Sequence, residues 1–220
     1  MMITIGGMIG GGKTSLARIV AEHFGTEVME ESVEDNPILP LFYGKNEEEV
    51  IANDYPFLLQ IYFLNTRFKA IKEALSNDNN VLDRSIYEDW YFCKVNKELG
   101  RIDDLRFSLY EELLNNMMEE IEGMPKKAPD LMIYLSGSFE TFISRIKKRG
   151  RDYEIDDSLL DYYYKLWSGY DEWINKHYNA SEVLIIDIDS IDYVNNKEDR
   201  RIVLKSIENK LAKVRSKNNS

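Results

Sequence analysis

A glycine-rich segment near the start of the chain constrains the fold more than any other feature of the sequence. It runs from Gly7 to Thr14, reads GMIGGGKT and matches the phosphate-binding pattern G-x-x-x-x-G-K-[ST]. An apolar, strand-like run precedes it, and a helical pattern that stops at Gly25 follows it. Glycines allow backbone amides to face phosphate oxygens, and the N-terminus of the helix adds positive potential. The segment therefore predicts a nucleotide site at a strand-to-helix turn of an α/β fold.

The residues of this segment have separate expected roles. Lys13 reaches the β- and γ-phosphates of a nucleotide, and Thr14 holds Mg²⁺ through its hydroxyl. A plain strand-to-helix turn is the alternative interpretation, but such a turn requires neither the lysine nor the threonine. We therefore expect ATP and Mg²⁺ to bind here, and the predicted donor site consists of Gly7, Met8, Ile9, Gly10, Gly11, Gly12, Lys13 and Thr14.

Short apolar runs alternate with longer amphipathic ones, which is the pattern of a parallel sheet covered by helices. Strands are predicted at residues 3–6, 27–30, 80–83, 131–135 and 183–187. Helices are predicted at residues 13–24, 55–75, 86–99, 103–121, 139–148, 158–177 and 198–214. Because no linker or internal repeat interrupts this pattern, we predict a single domain over residues 1–215 and a frayed tail over residues 216–220.

Charge and composition limit the kinds of partner that the chain can bind. There are 28 Lys and Arg residues against 39 Asp and Glu residues, and the resulting net charge of −11 repels nucleic-acid backbones. The single cysteine, Cys93, excludes an internal disulfide, and with only two histidines there is no zinc pattern. No signal-peptide pattern is visible, and no apolar run approaches the ~20 residues of a membrane span. These features predict a soluble, cytoplasmic protein that binds neither nucleic acid nor a membrane.

A second nucleotide-related pattern, residues 196–199, matches the guanine-reading sequence N-K-x-D of GTPase switches. A switch of that kind also needs a D-x-x-G segment to sense the γ-phosphate, and the chain has none. Asn196 followed by acidic residues is better interpreted as the capped start of the last helix. A nucleotide-binding switch is therefore disfavoured.

Acidic residues stand at the ends of the second and third predicted strands, where an open parallel sheet binds its ligands. Glu31 follows the second strand, and Asp83 and Arg84 end the third. In phosphoryl transfer one acid can take the proton of the acceptor hydroxyl, a second can place the metal, and an arginine can bridge acid and phosphate. Helix capping explains either acid alone but explains both less well. The candidate catalytic residues are therefore Glu31, Asp83 and Arg84, and the candidate metal ligands are Thr14 and Asp83.

These motifs resemble those of the deoxynucleoside kinase family, specifically its bacterial deoxyadenosine/deoxyguanosine kinase branch, from residue 3 to about residue 187. The Glu-Pro-Val motif of the family appears as Glu31-Ser32-Val33, with serine replacing proline, and its acidic-Arg-Ser motif as Asp83-Arg84-Ser85. The resemblance implies a P-loop kinase fold with an arginine-rich lid and a homodimer. It also implies ATP-dependent 5′-phosphorylation of a 2′-deoxynucleoside in nucleotide salvage, with Glu31 favoured as the general base and Asp83 as the alternative base or the metal-side acid.

The resemblance further implies how the base of the acceptor is read. Gln60 and Arg67 are seven residues apart in a predicted helix and share one face about 10 Å apart. In the family the glutamine bonds the base edge, and the arginine pairs with an aspartate at the position of Asp89. For an isolated Gln60 and Arg67, a solvated helix face would be the better interpretation. The pair of Arg67 and Asp89 favours deoxyadenosine as the substrate. Deoxyguanosine and deoxycytidine are expected to be poorer substrates, and thymidine the poorest.

The remaining family matches concern the sugar and the transferring phosphate. The resemblance assigns Tyr43 and Glu154 to the 3′-hydroxyl of the deoxyribose, although Tyr43 could also be ordinary core packing. Positive charge that neutralises the phosphoryl group would come from a lid containing Arg145, Arg149 and Arg151. A basic helix C-terminus is the alternative, but it accounts for neither Arg151 nor Glu154 beyond the glycine that follows.

A nucleoside monophosphate kinase that resembles thymidylate kinase is the nearest alternative function. Such an enzyme also has a phosphate loop, an Asp-Arg pair and an arginine lid. It would need a cationic pocket for the phosphate that its acceptor already carries. The chain instead offers Glu31, Tyr43 and Glu154, which suit free hydroxyl groups. The sequence therefore favours a deoxynucleoside as the acceptor.

Overall fold

The computed structural model describes residues 1–30, 33, 35–44, 46–74, 79–122 and 128–218, without the side chains of residues 121, 122 and 218. Glu31, the favoured general base, lies outside the described residues. Within them, no helix is both long enough and apolar enough to cross a membrane.

Strands of the described residues form one parallel sheet, as predicted. Residues of the first and fourth strands are buried almost throughout, as expected for parallel strands covered on both faces. The strands are β1 (Met2–Gly7), β2 (Glu27–Met29), β3 (Asn80–Asp83), β4 (Leu131–Ser136) and β5 (Glu182–Asp187). Their order in the sheet is β2-β3-β1-β4-β5. Because Asp83 pairs in register with Ile5 of β1, the turn after β3 leaves the sheet beside the phosphate loop.

Helices cover the sheet and lie close to their predicted bounds. They are α1 (Lys13–Phe24), α2 (Leu39–Phe42), α3 (Glu47–Ala52), α4 (Tyr55–Ala74), α5 (Ile86–Glu98), α6 (Asp104–Glu122), α7 (Phe139–Arg149), α8 (Leu160–Lys176) and α9 (Lys197–Asn218), with a 3₁₀ turn (Asp157–Leu159) before α8. The C-cap of α1 is Gly25, whose positive φ of 61° is the left-handed conformation in which a helix commonly stops. The predicted start and stop of this first helix are therefore confirmed.

Two short helices, α2 and α3, were not predicted. They have four and six residues, which is too short for a 3.6-residue period to be recognised. The Asn46 side chain caps α3 by accepting a hydrogen bond from the backbone N–H of Glu49 at 3.3 Å. Tyr43 directly follows α2, so these helices place that residue at the site.

The hydrophobic core lies on both faces of the sheet. One cluster packs α1, α8 and α9 against it, and a second cluster packs α4, α5 and α6 together. The apolar stripe of α8 is buried and belongs to the core; its buried residues include Tyr162, Tyr163, Leu166, Tyr170 and Trp173.

The last helix is longer than predicted. It continues to Asn218, whereas the sequence pattern places the frayed tail from residue 216 onward. Glu182 at the start of β5 accepts hydrogen bonds from Lys210 at 2.9 Å and from Lys217 at 2.7 Å. These two ion pairs hold the final turn of α9 against the edge of the sheet.

Candidate active site

A cavity of about 370 Å³ opens beside the carboxyl ends of β1 and β3, within the range of about 300–1,000 Å³ that is usual for small-molecule sites. Its wall combines the phosphate loop with most of the predicted acceptor and lid residues. These wall residues include Ile9, Gly10, Gly12, Lys13, Thr14, Tyr43, Gln60, Arg84, Asp89, Arg145, Arg149, Arg151 and Glu154. The other described site residues contact members of the wall rather than forming it; they are Gly7, Met8, Gly11, Arg67 and Asp83.

The phosphate loop has the conformation that its sequence predicts. Gly10 and Gly12 have φ values of 83° and 89°, a left-handed conformation that residues with side chains rarely adopt. The Lys13 ammonium donates to the carbonyl of Gly7 at 2.9 Å and to that of Met8 at 3.0 Å. The lysine thus spans the loop, with its charge where the phosphates of a nucleotide would lie.

Two side chains hold the loop from outside, and the sequence reasoning missed both functions. The Tyr193 hydroxyl donates to the carbonyls of Gly11 at 3.2 Å and Gly12 at 3.3 Å, and burial raises the pKa of Tyr193 to about 12. Arg145 donates to the Gly11 carbonyl at 3.0 Å and to the Ile188 carbonyl at 3.1 Å. Arg145 therefore joins the phosphate loop to the segment after β5, in addition to any contact with a phosphate.

Asp83 lies next to the first turn of α1. Its Oδ2 accepts a hydrogen bond from the Thr14 hydroxyl at 2.5 Å, and only 3% of the residue is exposed. A carboxylate and a hydroxyl at the phosphate loop are oxygen ligands of the kind that Mg²⁺ prefers. The two residues predicted to hold the metal are thus brought together.

Arg84 occupies a constrained position at the turn after β3. Its φ of 80° is unusual for a residue with a side chain, and its backbone N–H donates to the Ile5 carbonyl at 2.9 Å. The guanidinium carbon lies 4.5 Å from the centre of the Phe92 ring, and Nη1 donates to the Tyr170 hydroxyl at 3.4 Å. The side chain is thereby fixed with its cationic group at the cavity wall.

Gln60 and Arg67 are buried, so the interpretation of a solvated helix face is wrong for both. Arg67 Nε donates to Asp89 Oδ2 at 2.7 Å, and Arg67 Nη1 donates to the Asp83 carbonyl at 3.3 Å. Asp89 and Gln60 line the cavity, whereas Arg67 acts on it through Asp89. The cavity therefore has a carboxylate and an amide that can pair with the edge of a base.

Tyr43 and Glu154 also meet at the cavity. The Tyr43 ring stacks on Tyr153 with 5.7 Å between ring centroids, and burial raises the pKa of the Tyr43 hydroxyl, which keeps it protonated. Glu154 pairs with Arg149 and, at 3.3 Å, with Arg151. The predicted sugar-binding acid is thus held by two arginines of the lid.

Glu88 is a further residue of the site that the sequence reasoning did not select. It is completely buried and accepts a hydrogen bond from the backbone N–H of Gly7 at 2.8 Å. The sequence does contain a signal for a structural role of Glu88, because Ser85 and Glu88 have the S-x-x-E spacing of a capping box. That spacing predicts a capped helix, and only the three-dimensional structure adds the contact with the phosphate loop.

A parallel sheet with a phosphate loop, a basic lid and a cavity of small-molecule size defines a P-loop phosphotransferase. The chain belongs to the deoxynucleoside kinase family, whose model, described as "Deoxynucleoside kinase", matches residues 3–213. It is therefore a nucleoside kinase, which confirms the resemblance and disfavours the monophosphate-kinase and switch alternatives.

Individual relatives agree with this assignment. The chain is 49% identical to a deoxyguanosine kinase of Lactobacillus acidophilus over 216 residues, which is 97% of this chain and 92% of the relative. It is 44% identical to a deoxyadenosine kinase of the same organism, with 97% of each chain covered. A solved structure of deoxyadenosine kinase from M. mycoides with bound dCTP has a TM-score of 0.78 at 30% identity and covers 95% of this chain and 100% of that chain.

Proposed function

We propose that this enzyme transfers the γ-phosphoryl group of ATP to the 5′-hydroxyl of a 2′-deoxynucleoside, giving ADP and the 5′-monophosphate. One observation carries the proposal: a single cavity is lined both by the phosphate loop and by Tyr43, Gln60, Asp89 and Glu154. Donor and acceptor can therefore be bound side by side in one cavity, as direct phosphoryl transfer requires.

Each group of site residues has a separate role in the proposed phosphoryl transfer. Lys13 and the loop amides bind the donor phosphates, and Arg149 and Arg151 bring positive charge from the lid. Glu31 takes the proton of the 5′-hydroxyl, the oxygen forms a bond to the γ-phosphorus, and the bond to the β-phosphate oxygen breaks. Thr14 and Asp83 hold Mg²⁺, which neutralises charge on the phosphates when it is bound.

The acceptor is proposed to be a free nucleoside because an acidic residue is assigned to each of its two hydroxyl groups. Glu154, which is 3% exposed, and Tyr43 are assigned to the 3′-hydroxyl, and Glu31 to the 5′-hydroxyl. A 5′-phosphate would meet the negative charge of Glu31. At an effective dielectric constant of about 20, two like unit charges about 4 Å apart repel by about 4 kcal/mol.

Comparison of acceptors tests this proposal. We expect kcat/KM for deoxyadenosine to exceed that for dAMP by about 10²-fold or more, because the repulsion is present only with the monophosphate. Initial rates with ATP, Mg²⁺ and either acceptor, followed by ADP formation, measure the ratio. Faster turnover of dAMP would show that the enzyme is a monophosphate kinase instead.

Among the bases, deoxyadenosine is proposed as the preferred substrate. The Gln60 amide can donate and accept at once, which suits the ring nitrogen and the N6 amine of adenine, and Asp89 adds an acceptor for an amine. Guanine carries a carbonyl at the same edge, and Arg67 donates to Asp89 and the Asp83 carbonyl instead of lining the cavity. A competition assay with equal concentrations of the four deoxynucleosides checks this ranking. Faster phosphorylation of deoxyguanosine than of deoxyadenosine would contradict it.

A double substitution tests whether the charged pair reads the base. Arg67→Met together with Asp89→Ala removes both charges and leaves no unpaired buried ion, so we expect the kcat/KM ratio of thymidine to deoxyadenosine to rise by about 10-fold or more. Thymine has no amine at that edge, so in the unmodified enzyme it would add no donor to the carboxylate that Arg67 already pairs with. Lys69→Met, on the exposed side of the same helix, serves as the control. An unchanged ratio in the double variant would mean that the pair does not select the base.

The proposal also includes the assembly and location that family resemblance implies, a cytoplasmic homodimer. The outward faces of α4 and α6 supply apolar surface that supports this assembly. Leu58 is 42% exposed, Leu105 69% and Leu109 51%. Such residues can be covered by a second copy of the chain.

A further inference from the structure

Glu88 is a buried carboxylate with contacts to three parts of the active site. Its Oε1 accepts from the backbone N–H of Gly7 at 2.8 Å and from the Tyr170 hydroxyl at 2.7 Å. Its Oε2 accepts from the backbone N–H of Ser85 at 2.9 Å. Each of these partners is a donor, so both oxygens act as acceptors, as in an ionised carboxylate. A charge that is 0% exposed is tolerated only with such partners, which indicates that the arrangement is specific.

Arg84 is a cation within ion-pair distance of this carboxylate. Arg84 Nη1 lies 3.6 Å from Glu88 Oε1, and the Tyr170 hydroxyl contacts both side chains. Glu88 also bonds the turn that holds Arg84 in its left-handed conformation, through the N–H of Ser85. The carboxylate therefore acts on both the backbone and the guanidinium of a candidate catalytic residue.

The sequence of β1 leaves room for this carboxylate. A Cβ at Gly6 would lie 3.0 Å from Glu88 Oε2, closer than nearly all real contacts of this kind. Gly6 does not have a positive φ, so its backbone would accept other residues. Glu88 Oε2 and Met132 Sδ, each 3.0 Å from that Cβ position, therefore favour glycine at the end of β1, where the phosphate loop begins.

We propose that Glu88 is a positioning residue that fixes the first amide of the phosphate loop relative to Arg84, with Tyr170 of α8 as its partner. The donor phosphates bind to the loop, and Arg84 lies at the cavity wall, so this carboxylate, together with the hydrogen bond from the Arg84 N–H to Ile5, fixes the distance between them. A small misplacement of groups that hold the reactants lowers the rate of the chemical step. This inference rests on the proposed function, because the aligned groups are those of phosphoryl transfer.

Glu88→Gln tests the inference with little change of shape. One acceptor oxygen becomes an amide donor, so either Gly7 or Ser85 loses its partner and the charge facing Arg84 is lost. We expect kcat to fall by about 10-fold or more, while KM for deoxyadenosine stays within about threefold because Gln60 and Asp89 are unaltered. Rates are measured well below the Tm of each variant.

Ile207→Ala on α9 is the matched control for a loss of stability alone. Ile207 is completely buried, and its truncation leaves a cavity remote from the site, so Tm falls while kcat of the folded enzyme is unchanged. A Glu88→Gln enzyme that also keeps its kcat would overturn the inference.

If Glu88→Gln does not fold, the Tyr170→Phe variant tests the inference instead, because it keeps the carboxylate and removes one of its donors. A kcat lowered about threefold or more would then support the inference, and an unchanged kcat would overturn it.

The wild-type protein is assayed in the same series with ATP and the four deoxynucleosides. An inactive wild type would overturn the proposed function and this inference with it. An active wild type together with fully active Glu88→Gln or Tyr170→Phe enzyme would overturn the inference alone.

Discussion

Lys13→Ala is expected to lower kcat/KM for phosphorylation by about 10²-fold or more, because it removes a preorganised charge from the transferring phosphate. Lys13 is 7% exposed, and its ammonium lies on the loop carbonyls of Gly7 and Met8. The loss of these hydrogen bonds costs about 1 kcal/mol of folding free energy, which corresponds to about 2–4 °C in Tm for a chain of this size. Steady-state rates and a thermal melt of the same sample separate the two effects.

Lys205→Ala is the control for this experiment. Lys205 is an exposed residue of α9 whose ammonium pairs with Glu208 at 3.3 Å, remote from the phosphate loop. Its removal should leave kcat/KM within about twofold of the wild-type value, because exposed pairs contribute little. Near-normal turnover of Lys13→Ala would contradict the assignment of the donor site.

Asp83→Asn and Glu31→Gln are expected to reduce kcat severely for different reasons. Asp83 bonds the Thr14 hydroxyl at 2.5 Å, which favours the metal-side role, so Asp83→Asn should raise the Mg²⁺ concentration needed for half-maximal rate as well as lower kcat. Glu31→Gln removes the proposed base, so kcat should fall by about 10²-fold or more with an unaltered Mg²⁺ requirement. Rates measured across a Mg²⁺ titration distinguish the two residues.

Glu30→Gln is the matched control for the proposed base. Glu30 is the neighbour of Glu31 in sequence and forms a surface ion pair with Arg18. We expect its activity to stay within about twofold of the wild-type value. A mild Glu31→Gln effect, together with a severely lowered kcat and an unaltered Mg²⁺ requirement in the Asp83→Asn enzyme, would reverse the assignment, with Asp83 as the base.

The fold was predictable from sequence because its signals are local and periodic. The glycine-rich loop, the stop of α1 at Gly25 and the buried runs of β1 and β4 each follow from a few neighbouring residues. The helices α2 and α3 were missed because they have too few turns to show a period. Their placement depends on contacts such as that of Arg101, which pairs with Glu47 at 2.7 Å and donates to the Phe42 carbonyl at 3.3 Å.

The candidate site was predictable only where a motif carried it. Gln60 and Arg67 on their own indicate a solvated helix face, and only the family motif assigned them to the base of the acceptor; the structure shows that both are buried. Glu88, Tyr170 and Tyr193 were not selected because their contacts join positions about 80 to 180 residues apart in the chain. Periodicity and spacing report on neighbours along a helix or strand, so contacts of this length can be found only from the folded chain.

The position of β2 at the edge of the sheet makes the two sides of the active site unequal in local stability. This strand has three residues and, among the described residues, pairs only with β3, while β1 is paired on both sides. Opening of an edge strand breaks few backbone hydrogen bonds, so it requires less free energy than unfolding of the centre. Local opening of β2 therefore requires less free energy than opening of β1, which keeps the phosphate loop in place. The sheet thus holds the donor side of the site more firmly than the side that β2 borders.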